Sequence, residues 1–343
     1  MHPSPISVRR SGWTAVVAIV LMASAAVSLV VSAQTAPLTL VSSAWSPFTN
    51  APGQPRFALD LVEAALGRIS LSAKTTIVSA GQFTPALLTG SFDGSAAAWK
   101  DPERERVLLF SQPYLENRLV LVARRGGDVS AKALTDLKGK KVAIVEGYAY
   151  GEAIDNSGPT FVRSRSEEDS LSRLLNGGVD YTLMDELVVQ YIVSNYPKES
   201  GTRLQIGSTP LLARGLYLAL RRTRPDAASI ISRFNAQLKG MIADGTYHRL
   251  LHVDWIQADI NGDGVPVNVP QSNRPGPSEP QRVYSLFSTP QPATTTTTTS
   301  KPGFYVGGNI YADWASVPDS YKEVNPQPPD YRRSSASIFK FTW

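Results

Sequence analysis

The chain of 343 residues has no cysteine and only three histidines. Without cysteine there is no disulfide framework, no thiol nucleophile and no lipid-attachment cysteine, even in an oxidising compartment. A Gly-x-Ser-x-Gly turn and a phosphate loop are also missing. Past His2, the histidines His248 and His252 fall only in the last helical pattern of the body, so catalysis finds little support. Those two stand four apart with no third ligand at a suitable spacing, a poor basis for a metal site. No basic stripe interleaved with aromatics occurs, and nucleic-acid binding finds no support either. What the chain does have is 42% apolar and 18% charged residues, a soluble globular composition with length for two ordinary domains.

The N-terminus carries Arg9-Arg10, an unbroken small and apolar run from Thr14 to Val31, and then Val31-Ser32-Ala33 before Gln34. That layout predicts an export signal over residues 1–33, cleaved after Ala33. The run, about 18 residues, just reaches spanning length, but its small-residue exit favours removal over a retained anchor. The paired arginines loosely match a twin-arginine signal, although the residues after them do not. Subtracting those two from 34 basic residues leaves 32 against 29 acidic ones, a net charge of +3 without clustering. The expected location is the periplasm.

From Leu38 to Trp255, short apolar runs alternate with helical patterns, as in sheets covered by helices. Leu38-Thr-Leu-Val-Ser reads as a strand and Phe57 to Leu66 as a helix with apolar positions three and four apart. Thr75-Thr-Ile-Val and the helix Phe83 to Leu88 follow. Lys141-Val-Ala-Ile-Val begins a second such unit, with a helix from Glu168 to Leu175 stopped at Asn176-Gly177-Gly178 and another from Glu186 to Val193. Leu216 to Arg222 and the helix from Pro225 to Asp244 look like the returning half of the first unit.

After Gln257 the composition shifts. The tail holds 12 of the 25 prolines and six consecutive threonines, Thr294 to Thr299, so 271–302 reads as a linker or extended segment. Beyond it lie two aromatic, strand-like pieces, Gly303 to Tyr311 and Ser337 to Trp343, read as a hairpin or strand docking on the body. Asp259-Ile-Asn261-Gly-Asp263-Gly supplies the first, third and fifth ligand positions and the glycine of a calcium loop, with Pro270 where the bidentate glutamate would stand. A possible calcium site at Asp259, Asn261 and Asp263 and a plain Asx-rich turn are both open.

Three segments carry the most specific signal. Phe92-Asp-Gly-Ser-Ala-Ala-Ala-Trp-Lys-Asp-Pro-Glu-Arg104, continuing through Phe110-Ser-Gln-Pro-Tyr114 into Leu119-Val-Leu-Val-Ala-Arg124, places Arg104 on a loop just after an apolar strand. The others are Gly177-Gly-Val-Asp-Tyr-Thr-Leu-Met-Asp185-Glu186 and Ala243-Asp-Gly-Thr-Tyr-His248. Together they resemble the bacterial extracellular solute-binding proteins of family 3, which mostly deliver polar amino acids to ABC importers. The resemblance implies an α/β, two-lobed periplasmic-binding-protein-like fold of type II, each lobe a mixed sheet flanked by helices, followed here by a Pro-rich C-terminal extension. Lobe 1 would comprise 37–117 and 214–256, lobe 2 would be 118–213, with chain crossings near Leu115 to Arg118 and Leu212 to Gly215. The segment 257–270 would hold the calcium loop and 271–343 the extension.

By the same resemblance, Arg104 would grip a ligand carboxylate, Asp185 would take its ammonium, and Trp45 of Ala-Trp-Ser-Pro-Phe48 would stack on it. Gly147-Tyr-Ala-Tyr-Gly is read as opening a helix after a strand, so that free amides could meet an anion. Each residue also has a plainer role: Arg104 in a solvated charged run, Asp185 as a helix cap, Trp45 in the core. The chain departs from the family pattern at Trp99 and Ala149, which replace hydroxyl residues, so the pocket would be rebuilt around Trp99, Tyr148 and Tyr150. The leading expectation is a monomeric, non-enzymatic binding protein that captures a small polar solute, amino acid or amine, for an inner-membrane ABC permease. Alternatives are a non-transport accessory on the same fold or a dehydratase-type enzyme using Glu146 or Glu186 as its acid.

Overall fold

The computed structural model describes residues 1–2, 36–155, 158–200, 202–251, 255–261, 263, 265–270, 284–285 and 302–322. The export-signal run, most of the linker over 271–302, the aromatic piece 337–343 and His252 lie outside these. Among the described residues, no helix is long and apolar enough to cross a membrane.

Leu38–Ser43 (β1) is buried at every position but Thr39, as expected of a strand covered on both faces. It pairs in parallel with Ala73–Val78 (β2) and Gly94–Ala98 (β3). Helix Phe57–Gly67 (α1) buries Leu61, Val62, Ala65 and Leu66, one stripe at helical spacing. Ala80–Thr89 (α2) buries only Phe83 and Leu87. Next come the short helix Pro102–Val107 (α3) and the strand Leu108–Phe110 (β4). Leu115–Arg124 (β5) then leads to Lys141–Val145 (β6), Thr160–Ser164 (β7), helix Glu167–Leu175 (α4), Tyr181–Asp185 (β8) and helix Glu186–Asn195 (α5). The 18-residue strand Leu204–Arg221 (β9) returns the chain to helices Ala227–Ala243 (α6) and Thr246–Leu251 (α7).

The strands follow one path, β2-β1-β3-β9-β5-β8-β6-β7, with β4 also on β9. β1 to β4 with α1, α2, α6 and α7 make one lobe; β6 to β8 with α4 and α5 make the other. β5 and β9 run through both as an antiparallel pair, Leu115 opposite Leu216 and Leu119 opposite Leu212. This is the two-lobed, mixed-sheet α/β fold anticipated from the sequence. Three local expectations are corrected. Arg104 lies on α3, whose first turn is capped by Asp101 Oδ1 accepting from Arg104 N at 2.7 Å. The Gly147 segment opens no helix: the next one is a single turn, Glu152–Asp155. The strand expected at Leu216 is only the last third of β9.

Gly94 shows how closely the lobe-1 strands approach. A Cβ there would stand 1.9 Å from the carbonyl oxygen of Ala219 on β9, an overlap with backbone that no rotamer relieves. Gly94→Ala is expected to cost about 3 kcal/mol, read as a lower urea midpoint with unchanged slope. An unshifted midpoint would mean that the β3–β9 contact yields freely.

A smaller sheet lies after the body: Trp255–Ala258 (β10), Val267–Pro270 (β11), Tyr284–Ser285 (β12), Phe304–Val306 (β13) and Asn309–Tyr311 (β14), in the order β12-β10-β11-β13-β14. The last two form a hairpin turning at Gly307-Gly308. Trp255, Phe304 and Trp314 pack edge-on or tilted at 5.3–5.7 Å, giving this sheet its own aromatic core. His248 on α7 is fully buried and meets Val269 O on β11 through Nε2 at 3.0 Å. Burial lowers its pKa to about 4, so it is neutral at pH 7.

Candidate functional site

Four of the sequence-predicted residues meet where the lobes meet. Trp45, on the turn after β1, sets its ring 5.6 Å from Trp99, which follows β3, and 5.6 Å from Tyr148, which follows β6. Trp99 lies 5.4 Å from both Tyr148 and Tyr150. These contacts are tilted or edge-to-face, each worth about 0.5–1.5 kcal/mol beyond burial. Trp45, Trp99 and Tyr150 are buried, whereas Tyr148 is half-buried. Burial pushes the hydroxyls of Tyr148 and Tyr150 well above their ordinary pKa, and Tyr150 accepts from Val145 N at 2.9 Å. The rings come from both lobes, so they hold the cleft shut by contact with one another.

Arg104 is 2% exposed, not solvated as a charged run suggests. Its Nη1 donates to Trp99 O at 3.0 Å; its Nη2 donates to Thr84 Oγ1 at 2.7 Å and Gly147 O at 3.1 Å. Thr84 Oγ1 also donates to Gly147 O at 2.9 Å. The second lobe thus lends a backbone carbonyl to the two groups on the first. Gly147 is suited to this place: its φ is +78°, and a Cβ would approach Ala80 O to 3.3 Å. Burial lowers the pKa of Arg104, partly offset by Asp101. The guanidinium stands 5.5 Å over the ring of Phe83. Trp45, Phe83, Trp99, Arg104 and Tyr148 line a cavity in which about 20 Å³ is open to the centre of a water molecule.

Asp185, at the end of β8, has no exposed surface. Its Oδ1 accepts from Leu187 N at 2.7 Å and Val188 N at 3.3 Å, capping α5; its Oδ2 accepts from Asn117 Nδ2 at 3.0 Å. Asn117 Oδ1 in turn accepts from Trp99 Nε1 at 2.8 Å. The cap therefore ties into the aromatic cluster through the strand joining the lobes. Burial raises the Asp185 pKa to about 7 against the pull of these donors.

Sequence reasoning missed Asn117, Thr84 and Glu167. Asn117 carried no available signal, since it stands in the polar run Glu116-Asn117-Arg118 at the start of β5. Glu167 opens α4 in the run Ser166-Glu-Glu-Asp169, where Ser166 Oγ accepts from Asp169 N and the acids read as solvated first-turn residues. Instead Glu167 is 7% exposed, and its Oε2 has no hydrogen-bond partner. Burial first, then the charges of Glu168 and Asp185, raise its pKa to about 8, and the nearby Trp45 indole offsets only part of this.

The remaining candidates lie elsewhere. Glu146 is exposed, and Glu186 pairs with Arg118 at 3.0 Å. Asp259 Oδ1 accepts from Asp263 N at 3.2 Å, and Asp263 Oδ1 from Val265 N at 2.8 Å, an Asx-type turn with Asn261 exposed on it. Among the described residues no three His, Asp or Glu side chains gather as a metal site.

A cleft between two α/β lobes joined by paired strands, with a buried arginine and packed aromatics within it, defines the type II periplasmic-binding class. The family model for bacterial extracellular solute-binding proteins, family 3, matches residues 39–258, and the chain belongs to that family. ABC transporter arginine-binding protein 1 of Escherichia coli (strain K12) is 25% identical over 216 residues, 61% of this chain and 86% of that protein. A mutant of ArgBP from T. maritima superposes with a TM-score of 0.52 at 26% identity, covering 63% of this chain and 93% of that one. A histidine kinase sensor domain with similarity to periplasmic binding proteins gives a TM-score of 0.54 at 21% identity, over 64% and 95%, a likeness of fold alone.

Proposed function

We propose that the protein captures a small polar solute, an amino acid, amine or related compound, between its lobes in the periplasm and presents it to an inner-membrane ABC permease, as a monomer and without catalysis. The observation that carries this reading is the convergence of Trp45, Phe83, Trp99 and Tyr148 with the Arg104 guanidinium on one buried cavity. Apolar walls with few, fixed polar groups are what a small-solute site requires. Membership of the family and the Escherichia coli relative named for arginine support the same reading. The limited cavity means that solute enters an opened form and selects the closed one through contacts made only there. A thermal-shift screen of the purified protein against amino acids, amines, small carboxylates and sugars tests it. A ligand at about 100 times its Kd stabilises the folded state by about 2.7 kcal/mol, a shift of several degrees.

A second reading is a non-transport accessory or sensor role. Two observations favour it: the hydrogen bonds that Arg104 and Asp185 already make within the protein, and the fold likeness to a kinase sensor domain. Silence across the whole panel selects this reading.

A further inference from the structure

The cavity between the lobes carries one charge and lacks its opposite. Arg104 is the one charged side chain among the described residues that line it; the others are four aromatic rings, two serines, a threonine, two alanines and a leucine. The four buried acids among the described residues, Glu116, Glu167, Asp185 and Glu186, all lie outside that lining. Asp185, expected from the sequence to take an ammonium, has no exposed surface, and its oxygens are engaged by Leu187 N, Val188 N and Asn117 Nδ2. Arg104 is the reverse case. The oxygens that accept from its Nη atoms, on Trp99, Thr84 and Gly147, are all neutral. Its buried Nε has no hydrogen-bond partner, and the carboxylate paired with it, Asp101 Oδ2, stands 3.5 Å away. Gly147 belongs to the second lobe, so opening withdraws its carbonyl from Nη2. Nε and Nη2 form one edge of the guanidinium, the edge on which a carboxylate sits with two parallel hydrogen bonds. An ammonium group in the same space meets hydroxyls, which accept its hydrogen bonds but offset none of its charge, and the repulsion of Arg104.

We propose that the cleft takes small carboxylates that carry no ammonium group, with an apolar or aromatic body against Trp45, Trp99 and Tyr148, and that it rejects the α-amino acids of the same skeleton. This rests on the solute-receptor reading above and names, within it, the class of solute. The carboxylate supplies the charge that Arg104 lacks. The rings supply the wall for the carbon body, Trp45 and Trp99 from the first lobe and Tyr148 from the second, so closure is favoured by contacts that only the bound solute completes. The α-ammonium is what the site has no place for. A carboxyl at the end of β8 would have served it, but that carboxyl is spent on capping α5 and holding Asn117.

The test is isothermal titration of the purified protein with two matched pairs, hydrocinnamate against L-phenylalanine and propanoate against L-alanine, together with hydrocinnamide and L-arginine. The members of each pair differ by one ammonium group, so the wild-type protein decides without a substitution at a buried residue. The expected result is binding at least about tenfold tighter for each acid than for its amino acid, a loss of about 10- to 100-fold from hydrocinnamate to its uncharged amide, and no binding of L-arginine. An amino acid that binds as tightly as its acid, or binding of L-arginine, leaves the receptor reading standing and overturns this one. An amide equal to its acid shows that no anion is read at Arg104 and overturns it as well. If none of these compounds binds, the proposal falls, and the thermal-shift panel decides the rest: stabilisation by a sugar or an amine keeps the receptor reading, and silence throughout overturns both.

Discussion

Asp185→Ala is expected to be among the most destabilising single substitutions in the second lobe, by about 3–4 kcal/mol at pH 5.5. Two losses add. The N–H groups of Leu187 and Val188 lose their cap, worth about 1–2 kcal/mol, and the Asn117 amide is left buried with no acceptor, about 1–3 kcal/mol. At about 2–4 °C per kcal/mol the unfolding midpoint should fall by roughly 10 °C. Acidic pH is specified because the carboxyl is then mostly neutral in the folded protein, and no cost of burying charge offsets the loss. Asp185→Asn should not rescue fully. The Trp99 indole N–H fixes Asn117 with its oxygen toward the ring and its NH₂ toward residue 185. An amide at 185 that keeps the cap with its oxygen sets NH₂ against NH₂. Wild-type stability in Asp185→Asn would mean that Asn117 turns over, and far-UV circular dichroism melts of the three proteins suffice to show it.

The second large effect is a fall in stability as pH rises from 6.5 to 8.5. Glu167 and Asp185 have folded-state pKa values of about 8 and about 7, raised above their unfolded values chiefly by burial. A carboxyl raised in this way binds its proton more tightly when folded. Its contribution is fully present below the unfolded pKa near 4 and is lost as pH climbs through the folded value. Three units or so correspond to on the order of 4 kcal/mol for each group taken alone over the whole span from about pH 4 to its folded value, of which about 3 kcal/mol for the two together falls between pH 6.5 and 8.5, less when their mutual repulsion is shared. His248 works the other way: its pKa is lowered to about 4, so it adds stability as pH rises from about 4 to 6.5 and is silent above. The aspartates with lowered values, such as Asp93 and Asp169, act only below about pH 4. Melting curves between pH 6.5 and 8.5 therefore isolate the two buried acids. Glu167→Gln should flatten much of the slope and be more stable than wild type at pH 8.5; a wild-type midpoint level across this interval would show that both carboxyls are hydrated.

How far the sequence speaks depends on whether a residue's partner is local. α1 and α6 were legible because burial follows a helical period of 3.6 within each segment, and β1 because it is a short, largely apolar run covered on both faces. The first half of β9, Leu204-Gln-Ile-Gly-Ser-Thr-Pro210, was not: it shows neither alternation nor a continuous apolar run, and it is a strand because β5 pairs with it. Arg104 and Trp99 were legible as cleft residues through the family resemblance, but the burial of Arg104 depends on Thr84 and Gly147, 20 and 43 residues away. Glu167 was hidden for the opposite reason. Its local setting, after a capping serine and among other acids, accounts for it completely until the Trp45 turn of the other lobe is laid across it.

The β5–β9 pair has one further consequence. A joint made of two hydrogen-bonded strands bends by twisting, and its ladder survives the motion it permits. In a time course of deuterium uptake, the amides linking Leu115–Leu119 to Leu212–Leu216 should then be slow to label whether the lobes are apart or together. Gly147 and its neighbours should instead label on the rhythm of opening. The part about which the molecule turns would be its most sealed, and the part that reports the turning would be the loop that touches across.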